Sequence, residues 1–257
     1  MQDILSTTEN GITTITINRA EKKNSFTKAM YQAIGDAFEQ ARNNPQVRVV
    51  VVQGDERVFS AGNDIADFLQ NPPTDISSPV FRFLCGLASF PKPIIAAVCG
   101  PAVGIGTTML FHFDLIYAGD NAIFSMPFVN LGLCPEAGSS LLSTQLIGQM
   151  RTAEALLLGE PLSAQAALAA GLVNRVIAPG EVLALAQTQA AKLAAKPLSS
   201  LLETKRLMRE RHLPQVLAAI EEEAKELVRM LNEPSAKEAF SAFLEKRKPD
   251  FSKLDRS

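Results

Sequence analysis

Apolar positions along the chain fall into two periods, and they change places partway. Residues 11–18, GITTITIN, alternate β-branched and polar side chains, which predicts a strand closed by the polar turn at 19–24. Residues 27–42 carry apolar side chains at helical spacing, with Thr27 placed as an N-cap and the helix ending before Pro45. Residues 47–52, VRVVVV, are almost wholly apolar, as in a strand covered on both faces. Residues 93–99, PIIAAVC, predict a further strand that runs through a glycine-rich turn, 100–106, into an apolar helix ending near Phe113. Short strands follow at 115–118 and 122–126. Repetition of strand, turn and helix predicts a layered α/β core.

From about Ser163 the pattern becomes helical. One helix ends at Gly171 as a C′ residue, 172–177 is a last strand, and 181–195, 198–211, 214–231 and 235–247 all read as helices. This places a boundary near residue 190, between a core of residues 1–190 and a C-terminal helical region of 191–257. Amphipathic helices must bury their apolar stripe on their own core or on another subunit. The loop at 71–79, NPPTDISSP, reads equally as a flap beside a site or as a plain surface loop.

Composition narrows the function classes. With 257 residues, 47% of them hydrophobic and 20% charged, the chain has material for a sizeable core. The net charge of −2, with only the triplet 246–248 (KRK) free of interleaved acids, argues against duplex nucleic acid as a partner. That triplet reads as a solvated helix end or a small phosphate site. Three cysteines in no metal-like spacing suggest neither a disulfide framework nor a zinc site, and fit a reducing compartment. No secretory signal and no membrane-length apolar run is expected.

Phosphate-loop, GxGxxG, GxSxG and HExxH motifs are absent, and the S-x-x-K at 25–28 lacks its partner motifs. His112 lies in an apolar stretch and reads as a core histidine. Three segments carry more: 58–65 (VFSAGNDI), 97–106 (AVCGPAVGIG) and 131–140 (LGLCPEAGSS). Their small residues let backbone approach a ligand, and a glycine turn entering a helix leaves free N–H groups aimed at one spot, which suits an oxyanion. Taken singly, each is also compatible with a tight turn and nothing more.

Together these segments resemble the crotonase (enoyl-CoA hydratase/isomerase) superfamily, and the resemblance covers nearly the whole chain. The opening GITTITINRAEKKNSFTKAM, the stretch FDLIYAGDNAIFSMPFVNLGL, the block SAQAALAAGLVNRVI and the ending AFLEKRKPDF share it. The resemblance implies a spiral of repeated β-β-α units with a helical C-terminal region that packs homotrimers, often in pairs as hexamers. It implies an acyl-CoA thioester whose oxygen receives the backbone N–H groups of Asn63 and Ile105. Coenzyme A then lies against Ala61, Gly62, Asp64 and Ile65, with Lys23 or Lys22 toward the phosphates and 246–248 near a nucleotide on a neighbouring subunit. No metal and no separate cofactor is implied, because coenzyme A arrives with the substrate; a cytoplasmic setting without a peroxisomal address is the expectation.

Within the superfamily the hydratase branch uses two glutamates, and the matching positions here hold Thr108 and Phe128. Glu136 instead matches the single glutamate of the Δ3,Δ2-enoyl-CoA isomerase branch. The implied reaction moves a double bond from the 3 to the trans-2 position by one proton shuttle. By position alone Glu136 also reads as a helix N-terminal acid placed by the dipole. Phe124, Met126, Phe128, Leu131 and Leu133 are candidates for apolar walls that would raise its pKa, and equally for ordinary core. Two alternatives stay open: hydration or thioester hydrolysis using Asp67, Asp75 or Glu160, and a non-catalytic acyl-CoA-binding protein.

Overall fold

The computed structural model describes residues 2–252 and Leu254. The chain opens with a hairpin, β1 (Ile4–Glu9) and β2 (Ile12–Ile17), paired antiparallel through Asn10 and Gly11. Both turn residues have positive φ, 51° and 79°, as a two-residue hairpin turn of matching twist requires. Strand β1 went unread in the sequence because ILSTTE buries only Ile4 and lies open at the sheet edge. Asn-Gly next to an alternating run was the available signal.

Helix α1 (Lys28–Asn43) starts where expected, with the Thr27 hydroxyl accepting from the Met30 amide. Next come β3 (Val49–Gln53), α2 (Ile65–Gln70), α3 (Pro79–Ala88), β4 (Ile94–Val98), β5 (Pro101–Val103) and α4 (Ile105–Thr108), which tightens into a 3-10 turn to His112. The spiral continues with β6 (Leu115–Gly119), β7 (Ile123–Ser125), α5 (Ser139–Leu146), α6 (Gln149–Ala153), β8 (Leu162–Ser163), α7 (Ala164–Ala169) and β9 (Arg175–Ile177). Four helices close the chain: α8 (Pro179–Ala194), α9 (Leu198–Arg209), α10 (Leu213–Met230) and α11 (Pro234–Leu244).

The strands form a six-stranded sheet, order β1-β2-β3-β4-β6-β9, and a smaller second sheet, order β5-β7-β8. From β2 to β9 the large sheet is parallel, with Val50 opposite Ile94 and Ala96 opposite Ile116. The all-apolar reading of VRVVVV is explained by its two covered faces. Val50 and Val52 join the main core, while Val49 and Val51 pack with Val182, Ala186 and Ala190 of α8. Burying one such side chain contributes about 1.5–3 kcal/mol. Residue 190 therefore lies inside a helix that covers the sheet; that helix ends at Ala194 and the next begins at Leu198.

Candidate functional site

Two loops meet where the small residues cluster. Gly62 has φ +88°, and a methyl group there would lie 2.9 Å from the Val103 carbonyl oxygen; one on Gly106 would lie 2.8 Å from that of Ser60. The small residues thus first let one loop approach the other. Ser60 bridges Ala102, and the Val103 amide donates to the Ser60 carbonyl at 2.9 Å.

Asn63 and Ile105 are brought to this junction. The Phe26 amide donates to Gly62 O at 2.7 Å and the Asp64 amide to Phe26 O at 2.9 Å. Alternate amides of an extended segment face opposite sides, so the Asn63 N–H points away from Phe26. Ile105 opens α4, where the first amide has no intrahelical acceptor. Among the described residues, neither the Asn63 nor the Ile105 amide donates to a protein acceptor. Both residues line one cavity of about 310 Å³, together with Glu136.

Glu136 is the only carboxylate lining that cavity among the described residues. Its side chain is 4% exposed. One oxygen, Oε1, accepts a hydrogen bond from the buried Thr108 hydroxyl, and Oε2 is buried without a partner. Burial, opposed by the Thr108 hydrogen bond and reinforced by the negative charge of Glu223, pushes its pKa from 4.5 up to about 8. Of the five residues read as either wall or core, Phe128, Leu131 and Leu133 line the cavity, whereas Phe124 and Met126 are buried in the core and do not.

The turn carrying Glu136 is not helical. Ala137 and Gly138 both adopt left-handed backbone, φ +66° and +67°, and α5 begins only at Ser139. The helix N-terminal acid is instead Glu223 of α10, which accepts from the Gly138 amide at 2.6 Å and the Ser140 amide at 2.9 Å. His112 grips the turn from behind, Nε2 lying 2.7 Å from the Ala137 carbonyl oxygen. Burial pushes its pKa down to about 4, so the ring is neutral near pH 7 and donates Nε2–H.

The other sequence candidates sort clearly. Ala61, Gly62 and Ile65 line the cavity. The Asp64 carboxylate caps α2 and pairs with Arg19 at 2.8 Å; burial raises its pKa, but the hydrogen bonds together outweigh burial and hold it below the usual carboxylate range. Its amide donates to Phe26 O and its carbonyl accepts from the Phe68 amide, and Asp64 does not line the cavity. Lys23 is exposed, and its carbonyl accepts the Ala61 amide at 2.9 Å. Asp67 receives the Lys28 amide, and Asp75 and Glu160 are exposed; none of the three lines the cavity. Within the triplet at 246–248, Arg247 is paired to Glu238 and Glu245. The loop at 71–79 borders a smaller pocket of about 80 Å³ that shares Asn63 and Phe68 with the cavity.

Sequence reading missed several contributors. Leu227 of α10 and Phe240 and Phe243 of α11 line the cavity. Tyr31 of α1, fully buried, donates to Asn63 Oδ1 at 2.5 Å. Glu223 had a signal: it stands three residues after Ile220 and four before Leu227, on the apolar stripe of its helix. No cluster of three or more metal-ligating side chains occurs among the described residues. No helix among them is long and apolar enough to cross a membrane.

A spiral α/β core whose apolar cavity is lined, among the described residues, by one carboxylate and by two amides without a protein acceptor can move a proton beside a carbonyl whose oxygen those amides hold. The sequence description of the enoyl-CoA hydratase/isomerase family matches residues 7–254, and the chain belongs to that family. It is 38% identical over 226 residues to enoyl-CoA delta isomerase 2 of Rattus norvegicus, covering 86% of this chain and 58% of that protein. The chain thus spans little more than half the length of that relative. It is 32% identical to 1,2-epoxyphenylacetyl-CoA isomerase of Escherichia coli over 98% of both chains. The structure of OdaA from Pseudomonas aeruginosa superimposes with a TM-score of 0.93 at 43% identity, covering 95% of this chain and 99% of that one.

Proposed function

We propose that the protein is an isomerase that converts a 3-enoyl-CoA into a trans-2-enoyl-CoA, with Glu136 as its single base. The observation that carries this reading is Glu136 itself: the sole carboxylate of the cavity among the described residues, one oxygen held by Thr108 and the other buried and unpaired. Ionised Glu136 removes a proton from C2, and the electron pair moves into C1–C2 as negative charge develops on the thioester oxygen. The Asn63 and Ile105 amides stabilise that oxygen; one such donor is worth roughly 3–4 kcal/mol in the transition state. As the carbonyl re-forms, the C2–C3 double bond appears and the former C3–C4 π pair takes the proton at C4 from the Glu136 acid.

A pKa near 8 suits this role, since the group must both take and return a proton at near-neutral pH. Hydration needs a second acid or base beside the double bond, and Thr108 and Phe128 stand where the hydratase branch places glutamates. Coenzyme A is read as lying against the backbone of Ala61, Gly62, Asp64 and Ile65 with Lys23 toward its phosphates, and no further cofactor takes part. A cytoplasmic homotrimer or hexamer completes the proposal.

Incubation with 3-enoyl-CoA esters is expected to yield trans-2-enoyl-CoA. Glu136→Gln is expected to lose about 10³-fold or more in kcat while binding the ester within severalfold of wild type. Undiminished turnover by that variant, or conversion of trans-2-enoyl-CoA to a 3-hydroxy product as the main activity, would overturn the assignment.

A further inference from the structure

The turn that carries Glu136 is held from the C-terminal helical region, by a side chain with no place in the cavity. Glu223 on α10 is 6% exposed, and its carboxylate accepts the Gly138 amide, the Ser140 amide and the Ser140 hydroxyl. These donors lie two and four residues beyond Glu136. Between them and the acid lies Ala137, a residue with a Cβ in left-handed backbone, a strained conformation that persists only where its surroundings fix it. On the opposite side His112 binds the Ala137 carbonyl.

We propose that Glu223 is a positioning residue for Glu136: it clamps the left-handed turn against α10, fixes the direction of the Glu136 carboxylate, and places a second negative charge behind it. The proposal rests on the isomerase reading for its kinetic consequence and on geometry alone for its structural one. Three donors on two oxygens is the arrangement of a carboxylate, although burial outweighs them and raises the Glu223 pKa from its usual value.

The groups acting on Glu136 come from two elements, the Thr108 hydroxyl of α4 and the Glu223 charge of α10; the buried Tyr31 phenol of α1 in turn feels the Glu136 charge. His112 faces the same turn and is neutral above about pH 4. Facing Glu223 is also the Cys134 thiol, pushed up to about 11 chiefly by burial and then by the Glu223 charge. Removing the charge on Glu223 is therefore expected to make Glu136 easier to ionise. A purely structural contact would leave that property unchanged.

Glu223→Gln keeps the shape and one acceptor but removes the charge and sets an amide N–H against a backbone donor. Two readouts on the full chain test it against wild type. The first is the midpoint of Glu136 protonation, from the carboxylic-acid infrared band that Glu136→Gln lacks; the expectation is a midpoint about half a pH unit lower in Glu223→Gln. The second is turnover of a 3-enoyl-CoA, expected to fall about tenfold or more in kcat with KM within about twofold, since Glu223 does not line the cavity. Glu223→Asp, which retains charge at shorter reach, is expected to restore the midpoint more fully than kcat. A wild-type midpoint and kcat in Glu223→Gln would overturn the clamp, as would a kcat loss at an unchanged midpoint. Absence of wild-type turnover would instead count against the isomerase reading, and the infrared midpoint would still decide the clamp.

Discussion

Glu136 carries a stability cost that is also its chemical use. Its folded pKa, about 8, lies above the unfolded value of 4.5, so the folded state binds the proton more tightly. For a group shifted up in this way, the stability it contributes is fully present below pH 4.5 and is lost as pH rises toward 8. Glu136→Gln, which cannot ionise, is therefore expected to gain on wild type across that window, by a few kcal/mol at its upper end. Thermal melts of both proteins from pH 4.5 to pH 8.5 check this, and parallel curves would show that the carboxyl does not titrate as described. At this scale the sequence was informative where motifs are local: Glu136, Asn63 and Ile105 stand in the short segments that carry the family resemblance, and their roles are what that resemblance implies. Tyr31 and Glu223 reach the site only through tertiary contacts, 32 residues from Asn63 and 83 from Ser140.

The two loops of the candidate oxyanion site depend on backbone that only glycine adopts easily. Gly62 combines φ +88° with a methyl-sized gap closed by the Val103 carbonyl. Gly62→Ala is expected to cost about 1–3 kcal/mol and to push the Asn63 amide off line, lowering kcat more than it raises KM. Calorimetry together with steady-state kinetics measures both, and an unstrained, fully active variant would contradict the packing of these loops. Helices and strands were mostly legible because their apolar period is strong: α1, β3, β4 and the last four helices fall within a few residues of expectation. The edge strand β1 and the left-handed turn at Ala137 were not. One has a single buried side chain, and the other has an alanine where the backbone would favour glycine.

Across the whole molecule, the C-terminal helices complete the cavity that the spiral begins. Phe240 of α11 is 2% exposed and meets Phe68 of α2 edge-on, ring centroids 6.3 Å apart. Phe240→Ala is expected to cost about 3–5 kcal/mol and to open the cavity wall, raising KM for the acyl-CoA. A melt and a saturation curve would reveal it, and a variant with unchanged KM would place α11 outside the substrate site.

The sequence by itself determined the α/β class, the covered strands, the helical C-terminal region and the three segments from which the cavity is built, because periodicity and glycine placement are properties of neighbours along the chain. Only the tertiary structure decided which buried acid lines the cavity with one oxygen unpartnered, and which caps a helix. Glu136 and Glu223 are the same residue type, and desolvation, donor placement and the distance between α10 and the turn exist only once the helices have packed.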